Sequence, residues 1–307
     1  MNAADLIRLR PTRCAICGTD ANAREIYAER LGSDAFNSRV FSARRAPDRI
    51  HYRMVRCESC RLVRADPAGD PEMLAVLYER SAFDYGPEIP NLTATYSRYL
   101  SRLGRPGAGR SSLLEIGCGN GFMLEAAITM GYRTVRGVEP SADAVMAARS
   151  DVREAIVNDI LRPGQFAAGT MDSICMFQVF DHVPDPAALL AECSRLLAPR
   201  GRILILNHNV EAFSANLLRE VSPIIDVEHC YLYSPATLTR ILEVNGLRVI
   251  ESGPASNVVS IRHLLHLAPL PAWLKRSALS WATGLGIGGA SLSVRIGNCY
   301  AIAEKPA

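Results

Sequence analysis

The stretch "LLEIGCGNGF", residues 113–122, decides the fold. An apolar run contains the acid Glu115, and glycines follow at alternating positions, Gly117, Gly119 and Gly121. Glycine adopts backbone angles that other residues avoid, and it lets the main chain approach a ligand closely. The spacing G-x-G-x-G differs from the G-x-G-x-x-G of dinucleotide-binding folds. The stretch therefore predicts a strand, a ligand-binding loop and a helix that begins at Gly121.

An alternation of strands and helices continues outward from this stretch. Strands are predicted at residues 112–116, 133–138, near 155, 172–178, 202–207, 247–252 and 298–304. Helices are predicted at residues 121–130, 142–149, 186–197 and 235–245. The last of these helices has Ser234 as its N-cap and Gly246 at its C-terminal stop. This alternation predicts an α/β fold, a doubly wound and mostly parallel sheet with helices on both faces.

Two pairs of cysteines precede this region. "CAIC" places Cys14 and Cys17 two residues apart, and "CESC" does the same with Cys57 and Cys60. Two such turns present four thiolates to one tetrahedral zinc ion and leave no open position for chemistry. A redox pair is not expected, because neither pair follows a strand and opens a helix. Two unrelated turns that contain cysteine are the alternative to a structural zinc site.

These patterns divide the chain into three parts. The predicted parts are a small zinc-ribbon-like module at residues 1–69, a helical connector at 70–110 and a domain at 111–307, with an insertion at 252–293 as a cap over the substrate. The connector contains a helix that begins after the N-cap Asp70, a second helix at 92–103 and a linker at 104–109.

Composition limits the classes of protein. Hydrophobic residues make up 49% of the chain and charged residues 21%, which favours a large folded core. The net charge of +3 is mild, and no basic patch with interleaved aromatic residues indicates a nucleic-acid partner. The N-terminus lacks the apolar stretch of a signal peptide, and the charge-free residues 277–294 are too rich in glycine for a membrane span. We expect a cytoplasmic protein; whether it is a homodimer stays open.

The motifs after the glycine loop point to a family. They are "GVEPS" at residues 137–141, "NDI" at 158–160, "FQVFDHVPDP" at 177–186 and "RLLAPRGRILI" at 195–205. In their order and intervals, over about residues 110–250, they resemble the class I S-adenosylmethionine (SAM)-dependent methyltransferases. The resemblance implies the sheet of that family, which is mostly parallel with an antiparallel last strand.

The resemblance also implies where SAM binds. Glu115 and the glycine loop would line the methionine end, Glu139 would hold the ribose and Asp159 the adenine. The full set of expected cofactor residues is Glu115, Gly117, Cys118, Gly119, Gly121, Glu139, Pro140, Asp159, Ile160 and Gln178. Glu139 ends the second strand 22 residues after Gly117, a position that by itself suits the two hydroxyls of a ribose.

The segment "DVEHCYLYSPATL", from Asp226, suggests a substrate class. It resembles a segment of bacterial sugar C-methyltransferases that closes over the substrate and supplies a histidine base. By that resemblance His229 is the base, with Glu228 and Tyr231 beside it. Val227 replaces a histidine of that family, whose members also carry a further C-terminal domain, whereas this sequence ends at Ala307. Methylation of oxygen and of carbon both stay open.

Other polar residues follow the strand ends. His182 is a candidate second base or cofactor contact, the "NHN" of residues 207–209 is expected to bind substrate, and Tyr85 could reach the pocket. The expected reaction moves a methyl group from SAM to a hydroxyl or carbon of a nucleotide-linked sugar, a glycan or a glycosylated metabolite. Such a transfer needs positioning and a proton acceptor, and histidine suits the second role near neutral pH.

Two other functions stay open. One is a ribosomal or transfer RNA base methyltransferase, since some ribosomal-RNA methyltransferases also begin with a cysteine zinc module, although "FQVF" lacks the prolines of enzymes that methylate exocyclic amino groups. The chain could also be a non-catalytic scaffold that binds SAM and zinc. Within the insertion, residues 262–276 could form either part of a substrate cap or an amphipathic helix that touches a membrane.

Overall fold

The structure is a computed structural model that describes residues 8–32, 35–37, 40–42, 48–82, 86–104, 111–267 and 271–307. Tyr85 and most of the predicted linker at 104–109 lie outside these residues. The N-terminal part contains the short strands β1 (Leu9–Arg10), β2 (Ala23–Tyr27), β3 (Met54–Cys57), β4 (Val63–Ala65) and β5 (Ala68–Gly69). Strands β2, β3 and β4 form an antiparallel sheet, and the turn with Cys57 and Cys60 joins β3 to β4.

Two helices connect this part to the large sheet. Helix α1 (Pro71–Glu79) begins as predicted, because the Asp70 carboxylate accepts hydrogen bonds from the backbone amides of Glu72 and Met73. Helix α2 (Ile89–Leu100) starts three residues before its prediction and continues as a 3₁₀ turn to Leu103. Buried Tyr96 of α2 stacks on Phe177 with ring centroids 4.3 Å apart, which fixes the helix against the large sheet.

The predicted alternation of strands and helices is present, with two short helices in place of the one predicted at 142–149 and with further elements after residues 208 and 260. In chain order the remaining elements are β6 (Ser112–Ile116), α3 (Phe122–Thr129), β7 (Thr134–Val138), α4 (Ala142–Met146), α5 (Ser150–Arg153), β8 (Ile156–Val157), β9 (Met171–Phe177), α6 (Pro186–Leu196), β10 (Leu197–His208), α7 (Phe213–Leu218), β11 (Tyr231–Leu232), α8 (Pro235–Val244), β12 (Arg248–Ser260), α9 (Ile261–Leu267), α10 (Ala272–Gly284) and β13 (Ser291–Glu304).

Seven strands form one sheet in the order β12-β13-β10-β9-β6-β7-β8. Strand β13 is antiparallel to both of its neighbours, and the other pairs are parallel. The predicted fold class is thereby confirmed. Both faces are buried, because alternate residues of each central strand enter different apolar clusters: Leu113 packs on one face and Leu114 on the other.

The last two strands are longer than predicted. Strand β12 runs to Ser260 and β13 starts at Ser291, so they pair within the region predicted as an insertion. We call residues 255–298 the hairpin extension; Asn298 pairs with His208, so the extension continues past the carboxyl end of β10. The sequence hides it because part of its support comes from α2: Ser256 N donates to the Tyr99 hydroxyl (2.7 Å) and Val258 N to Thr95 Oγ1 (2.8 Å).

The N-terminal sheet takes its fourth strand from a distant part of the chain. Strand β11 pairs with β4, with Tyr231 opposite Arg64 and Leu232 opposite Val63. The backbone of Cys230 joins this sheet to the large domain, because its carbonyl accepts from Ala65 N and its amide donates to the Asp181 carbonyl, both at 2.9 Å. The N-terminal sheet therefore contains strands from both sides of the predicted boundary at residue 69.

Candidate active site

The glycine loop lies over the carboxyl ends of β6 and β7. Gly117, Gly119 and Gly121 have φ angles of 71°, 55° and 75°, in the left-handed region. A Cβ atom on Gly117 would lie 2.4 Å from Cγ2 of Val179. The Gly117 amide donates to the carbonyl of Val138 at 2.7 Å, which draws the loop across the edge of the sheet. Position 117 therefore requires glycine, both for its backbone conformation and because a side chain would clash with Val179.

Glu139 follows β7 and lies beneath this loop. Its carboxylate accepts the amide of Gly119 (2.9 Å) and the amide of Ser141 (2.8 Å). Burial raises the pKa of Glu139, and the two amides partly oppose that effect. The structure thus brings together Glu139 and Gly119, which the sequence analysis assigned to one cofactor.

Three buried acceptor atoms near this loop accept no hydrogen bond within the described part of the chain. They are Oε2 of Glu115 in β6, Oδ1 of Asn120 in the loop and Oε1 of Gln178 directly after β9. Burial, and secondarily the charge of Glu139, raise the pKa of Glu115 well above its usual range. A buried acceptor without a donor is costly. SAM carries an ammonium, two ribose hydroxyls and an adenine amino group, so its donors fit these residues.

The expected adenine contact has partners of its own. The Asp159 carboxylate accepts from Arg162 Nε (2.9 Å), Gln165 Nε2 (3.3 Å) and the amide of Ile160 (2.7 Å). Asn158 Nδ2 donates to the carbonyls of Glu139 and Pro140, both at 2.9 Å, and so holds the turn between these motifs. The role of Asp159 toward adenine stays a prediction.

Three imidazoles surround one buried carboxylate beyond β9 and β10. We call Asp181, His182, His208 and His229 the imidazole cluster. His208 Nδ1 lies 2.7 Å from Asp181 Oδ2, whereas His229 Nε2 is 3.8 Å from the same oxygen and His182 Nε2 is 3.7 Å from Oδ1. The Asp181 side chain has no exposed surface. Only His208 is within hydrogen-bond distance of the carboxylate.

Neighbouring contacts fix the protonation of the rings. His229 Nδ1 lies 2.9 Å from the Ile224 carbonyl, which can only accept, so the proton is on Nδ1. By the same argument His208 Nδ1 donates to Asp181, so Nε2 is the ring nitrogen of His208 that is left to accept a proton. The His208 side chain is 28% exposed and that of His229 is 6% exposed. His208 is therefore the more accessible proton acceptor of the two.

The charges of the cluster follow from its burial. Burial lowers the pKa of His182 to about 4, although Asp181 partly opposes the effect, so this imidazole is neutral at physiological pH. Burial alone would raise the pKa of Asp181, but the surrounding imidazoles outweigh it and hold that pKa below its usual range. The arrangement is an ionised carboxylate that orients an accessible imidazole.

The same atoms have a spacing that could suit a metal. The ligand atoms of Asp181, His182 and His229 lie within 4.8 Å of one another. Two imidazoles and a carboxylate are ligands of zinc and other divalent cations. A test of the cluster therefore needs added divalent ions as one condition.

The structure changes the list of candidate side chains. The structure brings His182 and His229 together, with ring centroids 4.7 Å apart, but the Tyr231 hydroxyl donates to the Arg13 carbonyl at 3.2 Å, away from the cluster, because β11 pairs with β4. The Glu228 amide donates to Asp226 Oδ1 at 3.0 Å. The sequence analysis missed Asp181, although Asp-His after one parallel strand and a histidine at the end of the next was a usable signal.

Tyr78 of α1 was also missed. Its hydroxyl lies 2.9 Å from His182 Nδ1 and 3.4 Å from the Glu228 carbonyl. The Tyr78 hydroxyl therefore bridges the His182 ring and the Glu228 carbonyl. Tyr78 thereby orients His182 Nε2 toward Asp181. No pattern in the sequence around residue 78 marks it, since an apolar helix face explains it equally well.

The four cysteine sulfurs of the N-terminal part form a second cluster. Cys14, Cys17, Cys57 and Cys60 have their sulfur atoms within 4.8 Å of one another, and Sγ of Cys14 lies 3.3 Å from Sγ of Cys60. Ligands 2.3 Å from a tetrahedral zinc would lie about 3.8 Å apart. The donor set and its spacing fit zinc.

A family model described as a methyltransferase domain matches residues 90–252. A ubiquinone biosynthesis O-methyltransferase of Thiobacillus denitrificans is 30% identical over 159 residues, which cover 48% of this chain and 68% of that protein. One from Caulobacter sp. (strain K31) is 32% identical over 128 residues, covering 38% and 50%. The chain spans about half to two thirds of the length of these relatives.

A solved structure agrees with the fold. It is a chain of the complex between the Haloferax volcanii Trm112 methyltransferase activator and a methyltransferase. The TM-score is 0.51 at 18% identity, covering 72% of this chain and 92% of that one. At that identity the likeness shows the fold alone.

Proposed function

The chain belongs to the methyltransferase-domain family and is a SAM-dependent methyltransferase, and from this premise we propose that it methylates a hydroxyl oxygen of a small molecule. The observation that carries the proposal is the pair formed by Asp181 and His208, 2.7 Å apart at the carboxyl edge of the sheet. An imidazole oriented by a buried carboxylate is suited to accept a hydroxyl proton near neutral pH.

The cofactor would be held by the glycine loop, Glu115, Glu139 and Gln178. Bound SAM supplies a methyl group that its sulfonium already activates. The unpartnered oxygens of Glu115 and Gln178 would accept hydrogen bonds from its polar groups. Glu139 is kept in place by Gly119 and Ser141 before any ligand arrives, so little reorganisation is needed on binding.

His208 would do the proton transfer. Its Nε2 would accept the proton of the acceptor hydroxyl while the hydroxyl oxygen bonds to the methyl carbon and the bond between that carbon and sulfur breaks, which would leave the cofactor as a neutral thioether. Asp181 stabilises the imidazolium through Nδ1, and the proton then leaves to water. His182 and His229 exclude water from Asp181, because their rings cover a carboxylate that has no exposed surface. His229, the base expected from the segment resemblance, stays the alternative proton acceptor.

A phenolic hydroxyl is the acceptor we favour. The relatives' names specify O-methylation in ubiquinone biosynthesis. A phenol, with a pKa near 10, loses its proton to imidazole more readily than an aliphatic alcohol does. A sugar hydroxyl or a carbon next to a carbonyl is the second candidate, supported by the resemblance of the segment that carries Glu228 and His229 to sugar C-methyltransferases.

We further infer that the four cysteines bind one structural zinc ion. The support is the convergence of four thiol groups from two turns, a set that leaves no position for substrate. Metal analysis of protein purified without chelator should give one zinc per chain. A chain with no zinc that keeps its thiols free and its fold intact would contradict the inference.

The test is methyl transfer from isotopically labelled SAM by the full zinc-loaded chain. The panel contains catechols and other phenols, sugar nucleotides, keto-sugar intermediates and ribosomal RNA, each with and without added divalent ions. Label in a phenol supports the proposal, and label in a sugar nucleotide supports the second candidate. Label in RNA alone, or no cofactor binding by calorimetry, overturns both.

Matched variants separate the histidines. His208→Asn should lower kcat at least about 100-fold and leave SAM affinity unchanged, because it removes the proton acceptor alone. His229→Asn should have a smaller effect. The reverse order would assign the base to His229, and equal small effects would remove both from that role.

A further inference from the structure

The hairpin extension differs in charge from the rest of the chain. The chain has 31 acidic residues, yet there is none from residue 252 to residue 303. The same interval contains four cations: Arg262, Lys275, Arg276 and Arg295. The extension is therefore a purely cationic part of a protein whose overall charge is nearly balanced.

Helix α10 of the extension exposes large apolar side chains. Trp273 is 65% exposed and Trp281 is 72% exposed, and Leu274 and Leu285 are exposed as well. At 3.6 residues per turn these four positions fall within an arc of about 120°. Ala282, outside that arc, is buried. The helix thus packs through small side chains and turns its tryptophans outward.

The strands that carry α10 are anchored to the region of α2. Besides the two bonds from α2 to the backbone of β12, the Ser260 hydroxyl donates to Glu88 (2.7 Å) and Arg98 donates to the Ser293 hydroxyl (3.0 Å). The base of the extension is therefore anchored on both of its strands. Exposed apolar side chains on an anchored helix are uncommon on a monomer surface and indicate an interaction.

The charge and the apolar face together select the partner. Arg276 is exposed about 60° from Trp273 around the helix, and Lys275 is partly exposed beside Ala282. Tryptophan with cations on the same helix is typical of helices at the interface of anionic membranes. Four cations are too few for the electrostatic binding of a nucleic acid, in which phosphate contacts dominate. A second copy of the chain would offer the same positive charge and would be repelled.

The geometry of α10 favours lying on a membrane. Its 13 residues span about 20 Å, less than the hydrocarbon core of a bilayer. Among the helices that the structure describes, none is long and apolar enough to cross a membrane. We propose that α10 docks on an anionic lipid surface, with Trp273 and Trp281 at the boundary between headgroups and acyl chains.

Intrinsic fluorescence tests this proposal, because both tryptophans of the chain are in α10. The full zinc-loaded chain is titrated with phosphatidylcholine vesicles, with and without phosphatidylglycerol. We expect a blue shift of the emission and co-sedimentation with the anionic vesicles only. Absence of a shift, or equal binding to both vesicles, overturns the proposal. So does a blue shift without lipid that follows self-association of the chain.

Paired variants locate the surface. Lys275→Glu with Arg276→Glu should weaken vesicle binding at least about tenfold. Arg133→Glu with Arg240→Glu gives the same change in net charge on exposed positions outside the extension and should leave vesicle binding unchanged. Equal losses in both pairs would overturn the location. These readouts need no turnover, so failure of the methylation proposal would not affect them.

Discussion

Two buried carboxyl groups, Glu115 and Asp181, have opposite surroundings. Oε2 of Glu115 has no hydrogen-bond donor in the described part of the chain, and burial raises its pKa. Asp181 is hydrogen-bonded by His208, and its pKa is held below the usual range. At the scale of residues, Glu115 is left ready for a ligand, whereas Asp181 already has its partner.

This contrast gives a prediction for Glu115→Gln. The folded-state pKa of Glu115 lies above its unfolded value, so the free energy of unfolding falls as pH rises from about 4.5 through the folded pKa. Glutamine does not ionise, so the free energy of unfolding of the variant does not fall with pH for this reason. Without cofactor it should be more stable than the wild type at pH 7, and it should bind SAM more weakly.

Urea unfolding at pH 5 and pH 7, with calorimetry of SAM binding, checks both signs. The difference in stability between the two proteins should be smaller at pH 5. Identical pH dependence in both proteins would show that Glu115 does not carry the unfavourable charge.

A second prediction concerns Gly117→Ala. The added methyl group would meet Val179 at 2.4 Å and would also require a φ of 71° from an alanine. Gly246→Ala is the matched control, since its φ is 79° but no atom of the described chain lies within 4 Å of the added Cβ. Gly246→Ala should cost about 1 kcal/mol of stability. Gly117→Ala should cost clearly more and abolish SAM binding, measured by thermal unfolding with and without SAM.

Sequence reasoning located the loop residues but not the pair of Asp181 and His208. The loop requires glycine for local reasons, which a sequence shows directly. The pair depends on the register of β9 and β10, in which Leu206 lies opposite Phe177 and places the residues after both strands side by side. Adjacency of parallel strands is a property of the whole sheet, so the sequence alone left His208 as one polar residue among several.

At the scale of elements, a predicted element matched the structure when the residues that determine its bounds lie nearby in the sequence. Strands β6 and β7 were predicted to within one residue, because their apolar runs end at the glycine loop and at Glu139. The hairpin extension was missed, because α2 supplies two acceptors from side chains more than 150 residues earlier. An element whose support is that remote leaves no local pattern in the sequence.

The link between α2 and the extension is testable with Thr95→Val and Tyr99→Phe together. The two changes keep the shapes of the side chains and remove the acceptors of Val258 N and Ser256 N. The loss should cost about 1–3 kcal/mol for each amide left unpaired. We expect faster hydrogen exchange at residues 256 and 258, measured by mass spectrometry. The control is Thr129→Val, which removes an exposed hydroxyl that bonds within α3. It should change neither the stability attributed to this link nor the hydrogen exchange at residues 256 and 258.

At the scale of the whole molecule, the cysteine cluster and the imidazole cluster share a piece of backbone. Cys230 follows His229 and bonds both to Ala65 of the N-terminal sheet and to the Asp181 carbonyl. Strand β11, directly after it, is the edge strand of that sheet. Loss of order among the cysteines should therefore reach the imidazole cluster before it reaches the glycine loop.

Removal of metal tests this coupling. A chelator, or Cys60→Ser, should lower methyl transfer at least about tenfold while SAM affinity changes less than about threefold, since no backbone hydrogen bond joins the glycine loop to that sheet in the described part of the chain. Addition of zinc should restore the chelated wild type but not the variant. If methyl transfer and SAM affinity fell by the same factor, the chain would unfold as one unit and the proposed coupling would be wrong.

The position of β11 also bears on how the chain is made. The outer edge of β4, at residues 63–65, can find its partner only after residues 231–232 have been synthesised. At about 5–20 residues per second, a ribosome needs on the order of ten to thirty seconds to cover that interval. During this time an open strand edge next to reduced cysteines is exposed to other nascent chains. During synthesis the N-terminal sheet therefore stays incomplete until residues 231–232 emerge. A bound metal ion would keep its cysteines ordered over that interval and would protect the open edge of β4 from pairing with other chains.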